Sequence, residues 1–519
     1  MNAKVWLNAY PPGVPAEADV YRYRSLTAMI KASCERQSKQ AAFINLGHTL
    51  TYADLDRESR RFAAYLQKGL KLAKGDKLAI MLPNVLQYPV VFFGALRAGL
   101  VVVNVNPLYT PRELDQQLAD AGVRTAVVLE NFAHKLSGLI GPTRLRHVIT
   151  TAVADLLPAP RRLLVNFAVK HLKRMVPPWK IAGAVALRGA LEEGEHYRLD
   201  EIDLGPEDIA LLQYTGGTTG RPKGALLSHG NVVANVMQIA AWTGQTLREG
   251  VETVVTPLPL YHIFSLTANL LTFVAIGGCN LLVTDPRDIP GFIALLRGVV
   301  GGGDSIQASV AKRWKQVTGT AIIEGYGLTE ASPVVCANPL DVPEFTGMIG
   351  VPLPSTDVSM RDDRGSEVPV GEVGEICVKG PQVMRGYWNR PGENAKALAD
   401  GWLHTGDMGI MRADGFIKFS ERKDDVISVS GFKVFPSEVE EVAMMLPGVR
   451  EAAAAAIADD RSGQAVKLFV VRRDPELTSE QVLAHCRKNL TGYKVPKVVE
   501  FRDSLPKGAI GKIIRRALY

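Results

Sequence analysis

Tyr214-Thr-Gly-Gly-Thr-Thr-Gly-Arg-Pro-Lys-Gly224 carries four glycines, three threonines, one arginine and one lysine in eleven residues. The preceding Ile209-Ala-Leu-Leu-Gln is apolar and reads as the end of a strand. Ala225-Leu-Leu-Ser-His-Gly-Asn follows as a short strand, with a helix start at Ser228 or Asn231. The stretch is therefore a glycine-rich loop on a strand edge. Glycines let backbone N–H groups approach an anion, threonine hydroxyls add donors, and Lys223 adds a point charge. That is chemistry for cradling phosphate. It differs from the P-loop, which needs Gly-Lys followed by Ser or Thr where this chain has Pro222-Lys223-Gly224. Taken alone, the same composition also describes a flexible surface loop.

The chain has 519 residues, more than one hydrophobic core supports, so two or more domains are expected. Apolar residues make up 47% and charged residues 22%, the balance of a soluble globular protein. No apolar run is long enough to span a bilayer. Met1-Asn-Ala-Lys-Val-Trp-Leu lacks the apolar core of a signal peptide. The five cysteines (Cys34, Cys279, Cys336, Cys377, Cys486) are odd in number, scattered and without metal-ligand spacing. A reducing cytoplasm suits them better than a disulfide framework. The net charge of +7 is mild for this length and suits anionic substrates or a membrane surface. Neither a nucleic-acid module nor an internal repeat is visible.

Along the chain, helices are expected over Leu26–Arg36, Tyr52–Leu70 and Gln87–Ala98, with another opening at Pro111. Strands are expected at Ala42–Ile44, Lys77–Met81, Val101–Asn106 and Ala126–Leu129. Such alternation argues for an α/β fold with a largely parallel sheet. Arg161–Met175 reads as a basic, amphipathic helix closed by Pro177-Pro178. It has two readings: a helix that lies on an anionic bilayer, or an ordinary helix with a solvated basic face. A strand at Cys279–Val283 and a helix at Asp288–Arg297 follow. Gly347–Pro354, Gly371–Val378 and Gly386-Tyr387-Trp388 look like turns and strands of a β-rich subdomain. The tail is patterned helix, strand, helix, strand over Ser437–Met445, Glu451–Ile457, Val466–Val471 and Ser479–Leu490.

Several further strings carry chemistry. Val254–Phe264 takes a strand to Pro257 and begins a helix at Tyr261-His262-Ile263-Phe264; a lone histidine there is more often packed than catalytic. Glu324-Gly325-Tyr326-Gly-Leu-Thr329-Glu330 sets an aromatic, a hydroxyl and a carboxylate on a glycine-loosened turn. Tyr326 can stack on a purine, Thr329 can bond a phosphate oxygen, and Glu330 can hold Mg²⁺, which takes few protein carboxylates. Gly401-Trp-Leu-His-Thr-Gly-Asp407 places an aspartate at a loop, where it can accept both hydroxyls of a ribose. Glu421-Arg422-Lys423-Asp424-Asp425 is a charge run that ordinarily marks a solvated turn. Lys512 follows a glycine-flanked turn from which a lysine can reach a distant anion.

Six such motifs, in this order, resemble the adenylate-forming enzymes: acyl-CoA synthetases, luciferases and peptide-synthetase adenylation domains. The match is nearest to bacterial long-chain fatty acyl-CoA synthetases and covers nearly the whole chain. The resemblance implies a large N-terminal domain of several subdomains with mixed sheets (residues 1–420). A hinge (421–425) and a small mobile α+β C-terminal domain (426–519) follow. It implies that a fatty acid reacts with ATP to give acyl-AMP and pyrophosphate, and that CoA then displaces AMP. Thr215, Gly216, Gly217, Thr218, Thr219, Gly220 and Lys223 would bind the ATP phosphates. Gly325 and Tyr326 would border the adenine, Asp407 the ribose, Arg422 ribose or phosphate, and Glu330 the Mg²⁺. His262 would lie beside the acyl carboxylate, and no aspartate stands there to meet an amino acid's ammonium. Lys512 would be the adenylation lysine, Asp424 the pivot, and Gly431 and Lys433 would face CoA after the domain turns. An anionic membrane and a homodimer are compatible partners.

The resemblance breaks near residue 298, where relatives carry a further strand-helix-strand segment of about 30 or more residues. That segment supplies a wall of the acyl pocket and two sheet strands. Three alternatives follow: a ligase for medium-chain or other carboxylates, an acyl-AMP ligase serving a carrier protein, or a nucleotide-binding pseudoenzyme. The CoA-side residues resemble the synthetases rather than the carrier-dependent ligases.

Overall fold

The computed structural model describes residues 4–141, 145–215, 222–284, 299–301, 308–430, 432–459, 461–507 and 513–518. Its largest sheet has seven strands, in the order Val185–Ala186, His147–Thr151, Thr125–Leu129, Lys77–Met81, Val101–Asn104, Ile209–Thr215 and Lys223–Ser228. All neighbours are parallel except the last pair. Thr125–Leu129 and Val101–Asn104 are buried at every position, as strands covered on both faces must be. The expected α/β architecture is therefore present.

Local signals set the helix ends. Thr110 accepts from the Glu113 backbone and Glu113 reaches back to Thr110, a capping box, with Pro111 in the first turn. Ser228 and Asn231 form a second capping box, which fixes the start of His229–Thr243. The segment expected as one helix over Tyr52–Leu70 is α-helical over Tyr52–Ala64 and widens to a π turn over Tyr65–Gly69.

Three more sheets complete the large part of the molecule. One orders Thr253–Thr256, Cys279–Leu282, Ala41–Asn45 and His48–Thr51. Another orders Val299–Gly301, Ile322–Gly327, Val334–Ala337 and Val351–Pro352. The third is antiparallel: Asp357–Arg361, Val373–Lys379, Leu403–Met411 and Ile417–Arg422. The helix expected at Asp288–Arg297 lies outside the described residues.

The tail forms its own sheet and its own apolar cluster, built on Ile427, Val439, Val449, Leu468 and Val482. Here the sequence pattern is corrected. The order is helix Pro436–Met444, strand Val449–Asp459, strand Gly463–Arg472 and helix Ser479–Asn489. Val466–Val471 is a strand because its β-branched and aromatic residues pair along the length of Val449–Asp459. Ser479–Asn489 is a helix because Thr478 and Gln481 cap it reciprocally.

Candidate functional site

The glycine-rich stretch joins two antiparallel strands, with Thr215 opposite Lys223 in register. Gly216, Gly217, Thr218, Thr219 and Gly220 lie outside the described residues. Gly224 is glycine for want of space: a Cβ there would come within 2.6 Å of Leu212 and 3.2 Å of the Tyr214 ring. Residues 385–388 lie against the second strand. Leu226 donates to the Gly386 carbonyl and Trp388 donates to the Gly224 carbonyl. The Lys223 ammonium pairs with Glu393 and sits 5.2 Å from the centre of the Tyr387 ring.

Tyr387 carries that contact onward. Its hydroxyl donates to Glu330 Oε1 at 2.7 Å. Burial, with Glu330 and Glu393 nearby, pushes its phenol far above the ordinary range, so it stays a donor. The other oxygen of Glu330 takes no protein donor among the described residues. Thr329 and Glu330 open a 3-10 turn, Thr329–Ala331, whose third residue is buried. Tyr326 and Gly325 stand not on a turn but within the strand Ile322–Gly327, held by pairing with Val334–Ala337. Close packing explains the glycines: a Cβ on Gly327 would lie 2.3 Å from the Pro333 carbonyl oxygen.

Asp407 also stands within a strand, Leu403–Met411, rather than on a loop, because it pairs in register with Arg422. It is 3% exposed. Tyr326 donates its hydroxyl to Asp407 Oδ2 at 2.6 Å, and Arg422 Nε lies 2.9 Å from Oδ1. The Arg422 contact is ionic and no N–H points along it, so Oδ1 remains a buried acceptor without a hydrogen bond. Such an atom is costly to leave unmet. A ligand hydroxyl would satisfy it. Burial works against the Arg422 charge, but Asp407, Tyr326, Glu330 and Asp425 outweigh it and hold the guanidinium protonated. Lys223, Tyr387 and Glu330 thus form one string of contacts and Arg422, Asp407 and Tyr326 another, and the charge of Glu330 acts on Arg422 between them.

His262 is mostly enclosed, and burial lowers its pKa, so the ring is neutral at neutral pH. Its Nδ1 faces the Phe264 N–H at 3.4 Å. The carbonyl of its neighbour Tyr261 accepts from Gln213, on the strand that ends at Thr215. His262 is therefore tied to the strand that leads into the glycine-rich stretch rather than to Asp407.

Lys423–Asp425 forms a 3-10 turn between the last large-domain strand and the tail sheet. Arg515 reaches back to this turn. Its guanidinium lies 3.2 Å from Glu421, 3.5 Å from Asp425 and 2.7 Å from Glu440. Burial drives the Glu440 carboxyl up to about 7, against the pull of Arg515. Lys507 bridges Ile513, but Lys512 and Gly431 lie outside the described residues, as does the Lys433 side chain. Lys433 itself is paired with Ser428 in the tail sheet.

Sequence reasoning missed Tyr387, Glu393 and Arg515. Gly386-Tyr387-Trp388 reads in the sequence as part of a β-rich subdomain, but only its bridge to Ala225 puts the phenol beside Glu330. Spacing also hid a cluster: sheet register sets Cys377 opposite His404, with Glu375 within the same 4.8 Å. Lys423 already contacts Glu375 at 3.2 Å, which makes this a salt-bridged network.

These features have the form of a nucleotide site on a two-part α/β enzyme, and the chain belongs to the AMP-binding enzyme family. The family model matches residues 30–296 and 291–388, and that of the AMP-binding enzyme C-terminal domain matches 438–512. The long-chain-fatty-acid–CoA ligase of Escherichia coli is 50% identical over 547 residues, covering 99% of this chain and 98% of its own. That alignment is longer than the 519 residues present, so the relative carries sequence this chain lacks. The two stretches of the family match meet at 291–296, beside the break read near residue 298. Among solved structures, the anthranilate CoA ligase AuaEII with anthranoyl-AMP has a TM-score of 0.81 at 23% identity, covering 96% of both chains. ATP-bound MatB from Rhodopseudomonas palustris has a TM-score of 0.78 at 24% identity, covering 95% of this chain and 98% of its own. Both share the fold.

Proposed function

We propose that this chain is a long-chain fatty acid–CoA ligase that works in two steps. The observation that carries the reading is the 50% identity to a long-chain-fatty-acid–CoA ligase across 99% of the chain. A carboxylate oxygen of the acid attacks the α-phosphorus of ATP, and the bond to pyrophosphate breaks. The CoA thiolate then attacks the acyl carbon of acyl-AMP, and AMP leaves with the bonding electrons.

Little covalent work falls to the protein, so positioning and charge dominate. Asp407 Oδ1 accepts from the ribose, and Arg422 holds that carboxylate ionised. Tyr326, anchored by its hydroxyl, presents a ring toward the base, with Gly325 beside it. Lys223 exchanges Glu393 for the β- and γ-phosphates, helped by Thr215, Gly216, Gly217, Thr218, Thr219 and Gly220, while Thr329 bonds a phosphate oxygen. The second oxygen of Glu330, which takes no protein donor among the described residues, would hold Mg²⁺, which when bound neutralises phosphate charge. Neutral His262 meets the acyl carboxylate. Lys512 bridges that carboxylate and the α-phosphate. Residues 426–519 then turn about 421–425, with Asp424 as pivot, bringing Gly431 and Lys433 to CoA. The reading places the enzyme in the cytoplasm, in fatty acid breakdown, with peripheral contact to an anionic membrane and self-association as a homodimer.

Acyl-CoA formation from ATP, CoA and acids of increasing length tests this, with Lys512→Ala as the diagnostic variant. Wild type should favour long acids. Lys512→Ala should lose acyl-AMP formation by about 100-fold or more yet convert supplied acyl-AMP to thioester. Equal loss of both steps would refute the turning domain.

A further inference from the structure

The helix Ala159–Phe167 and its continuation Ala168–Leu172 contain no buried residue. A surface helix normally turns its apolar stripe inward. Here the stripe faces out: Leu163 is 64% exposed, Leu164 71%, Phe167 57%, Leu172 71% and Met175 51%. The inward side is held by polar ties. Asn166 donates to Asp155 at 3.0 Å and accepts from the Ala154 N–H, and only Val165 packs on the main core. The helix is thus fixed in place with its apolar side presented to solvent.

Charge selects the occupant. From residue 156 to residue 191 the sequence has no aspartate or glutamate, while Arg161, Arg162, Lys170, Lys173, Arg174 and Lys180 all fall there. Lys170, Lys173 and Arg174 are exposed beside Phe167 and Leu172. Long basic side chains flanking leucine and phenylalanine suit the boundary between headgroups and acyl chains. A protein partner would need a large acidic rim around an apolar seat. Among the described residues, no helix is long and apolar enough to cross a membrane, so contact would be from one side.

We propose that residues 159–175 form a docking surface for anionic phospholipid, with Leu163, Leu164, Phe167, Leu172 and Met175 inserted among acyl chains and the basic residues on the headgroups. It deepens the ligase reading, on which only its consequence rests: long acids dissolved in the bilayer would be drawn upon directly. The apolar outer face favours the bilayer reading of this segment, since a merely solvated helix has no reason to present five large apolar side chains.

The test is co-sedimentation of the full-length protein with vesicles of phosphatidylcholine alone or mixed with phosphatidylglycerol. Mixed vesicles should bind at least about tenfold more tightly, and added salt should weaken that binding. Leu163→Ser with Leu164→Ser and Phe167→Ser should abolish it, as should Lys170→Glu with Lys173→Glu and Arg174→Glu. Melting temperatures unchanged from wild type would show both variants folded. Both should keep wild-type turnover of albumin-delivered acid and lose turnover of vesicle-borne acid. Undiminished vesicle binding by either variant overturns the proposal. So does a wild-type dimer in solution that the serine variant disrupts, which would make the face a self-association surface. Absence of turnover with any acid, while vesicle binding follows the predicted pattern, would refute the ligase reading alone.

Discussion

Asp407 concentrates the chemistry of the site at one residue. Its carboxylate is buried, one oxygen accepts from Tyr326, and the other lies 2.9 Å from Arg422 Nε without a hydrogen bond. A hydrogen bond to a charged group contributes about 1.5–3 kcal/mol, so Asp407→Ala should weaken AMP binding roughly 10- to 100-fold. Isothermal titration would read this, and unchanged affinity would remove Asp407 from the site. Tyr387→Phe deletes only the hydroxyl on Glu330. It should lower adenylation roughly tenfold and raise the Mg²⁺ concentration for half-maximal rate, because Glu330 loses the donor that orients it. A Mg²⁺ dependence identical to wild type would separate Tyr387 from the metal. Residue types in short strings are enough to nominate Asp407, Tyr326 and Glu330 as candidates from the sequence. Tyr387 is not legible as a candidate, since its place beside Glu330 depends on a bridge between residues far apart in the chain, Ala225 and Tyr387.

Element-scale reading succeeded where the signal was local. Leu26–Arg36 and Lys77–Met81 match to the residue, and of the two helix starts offered, Ser228 and Asn231, Ser228 is the cap. It failed where pairing decides. Val466–Val471 suits either state by apolarity alone, and only its antiparallel partner makes it a strand. Asp407 and Tyr326 likewise moved from turns into strands through register. At this scale Arg515, Glu421, Asp425 and Glu440 tie the tail helix to the turn below it. Glu440 keeps a proton up to about 7 when folded, against an ordinary 4.5. Between those values the folded protein binds more protons than the unfolded chain. Its contribution to stability is therefore full below about 4.5 and is lost as pH rises through 7. Buried His229, lowered to about 4, acts in the opposite sense. Comparing Glu440→Gln with wild type cancels that background. Wild type should lose melting temperature relative to the variant from pH 5 to pH 8, and parallel curves would contradict the buried protonated carboxyl.

At the scale of the whole molecule, the candidate residues Lys223, Tyr326, Glu330, Tyr387 and Asp407 all precede the tail sheet, and the second family model, matching 438–512, covers Lys512. The two-part organisation was legible because motif order alone separates them. The break near residue 298 was legible too, as the meeting of the matched stretches beside it attests. Its effect on the acyl pocket was not, because pocket shape is a property of packed elements rather than of a string. The curated relatives offer no support for a non-catalytic nucleotide binder. Fatty-acid-dependent exchange between ATP and pyrophosphate, without CoA and across acids from short to long, addresses the pocket and the first step together. Exchange that peaks with long acids is the predicted result. No exchange with any acid, in protein shown to be folded, would contradict a working ligase and leave a nucleotide site without its reaction.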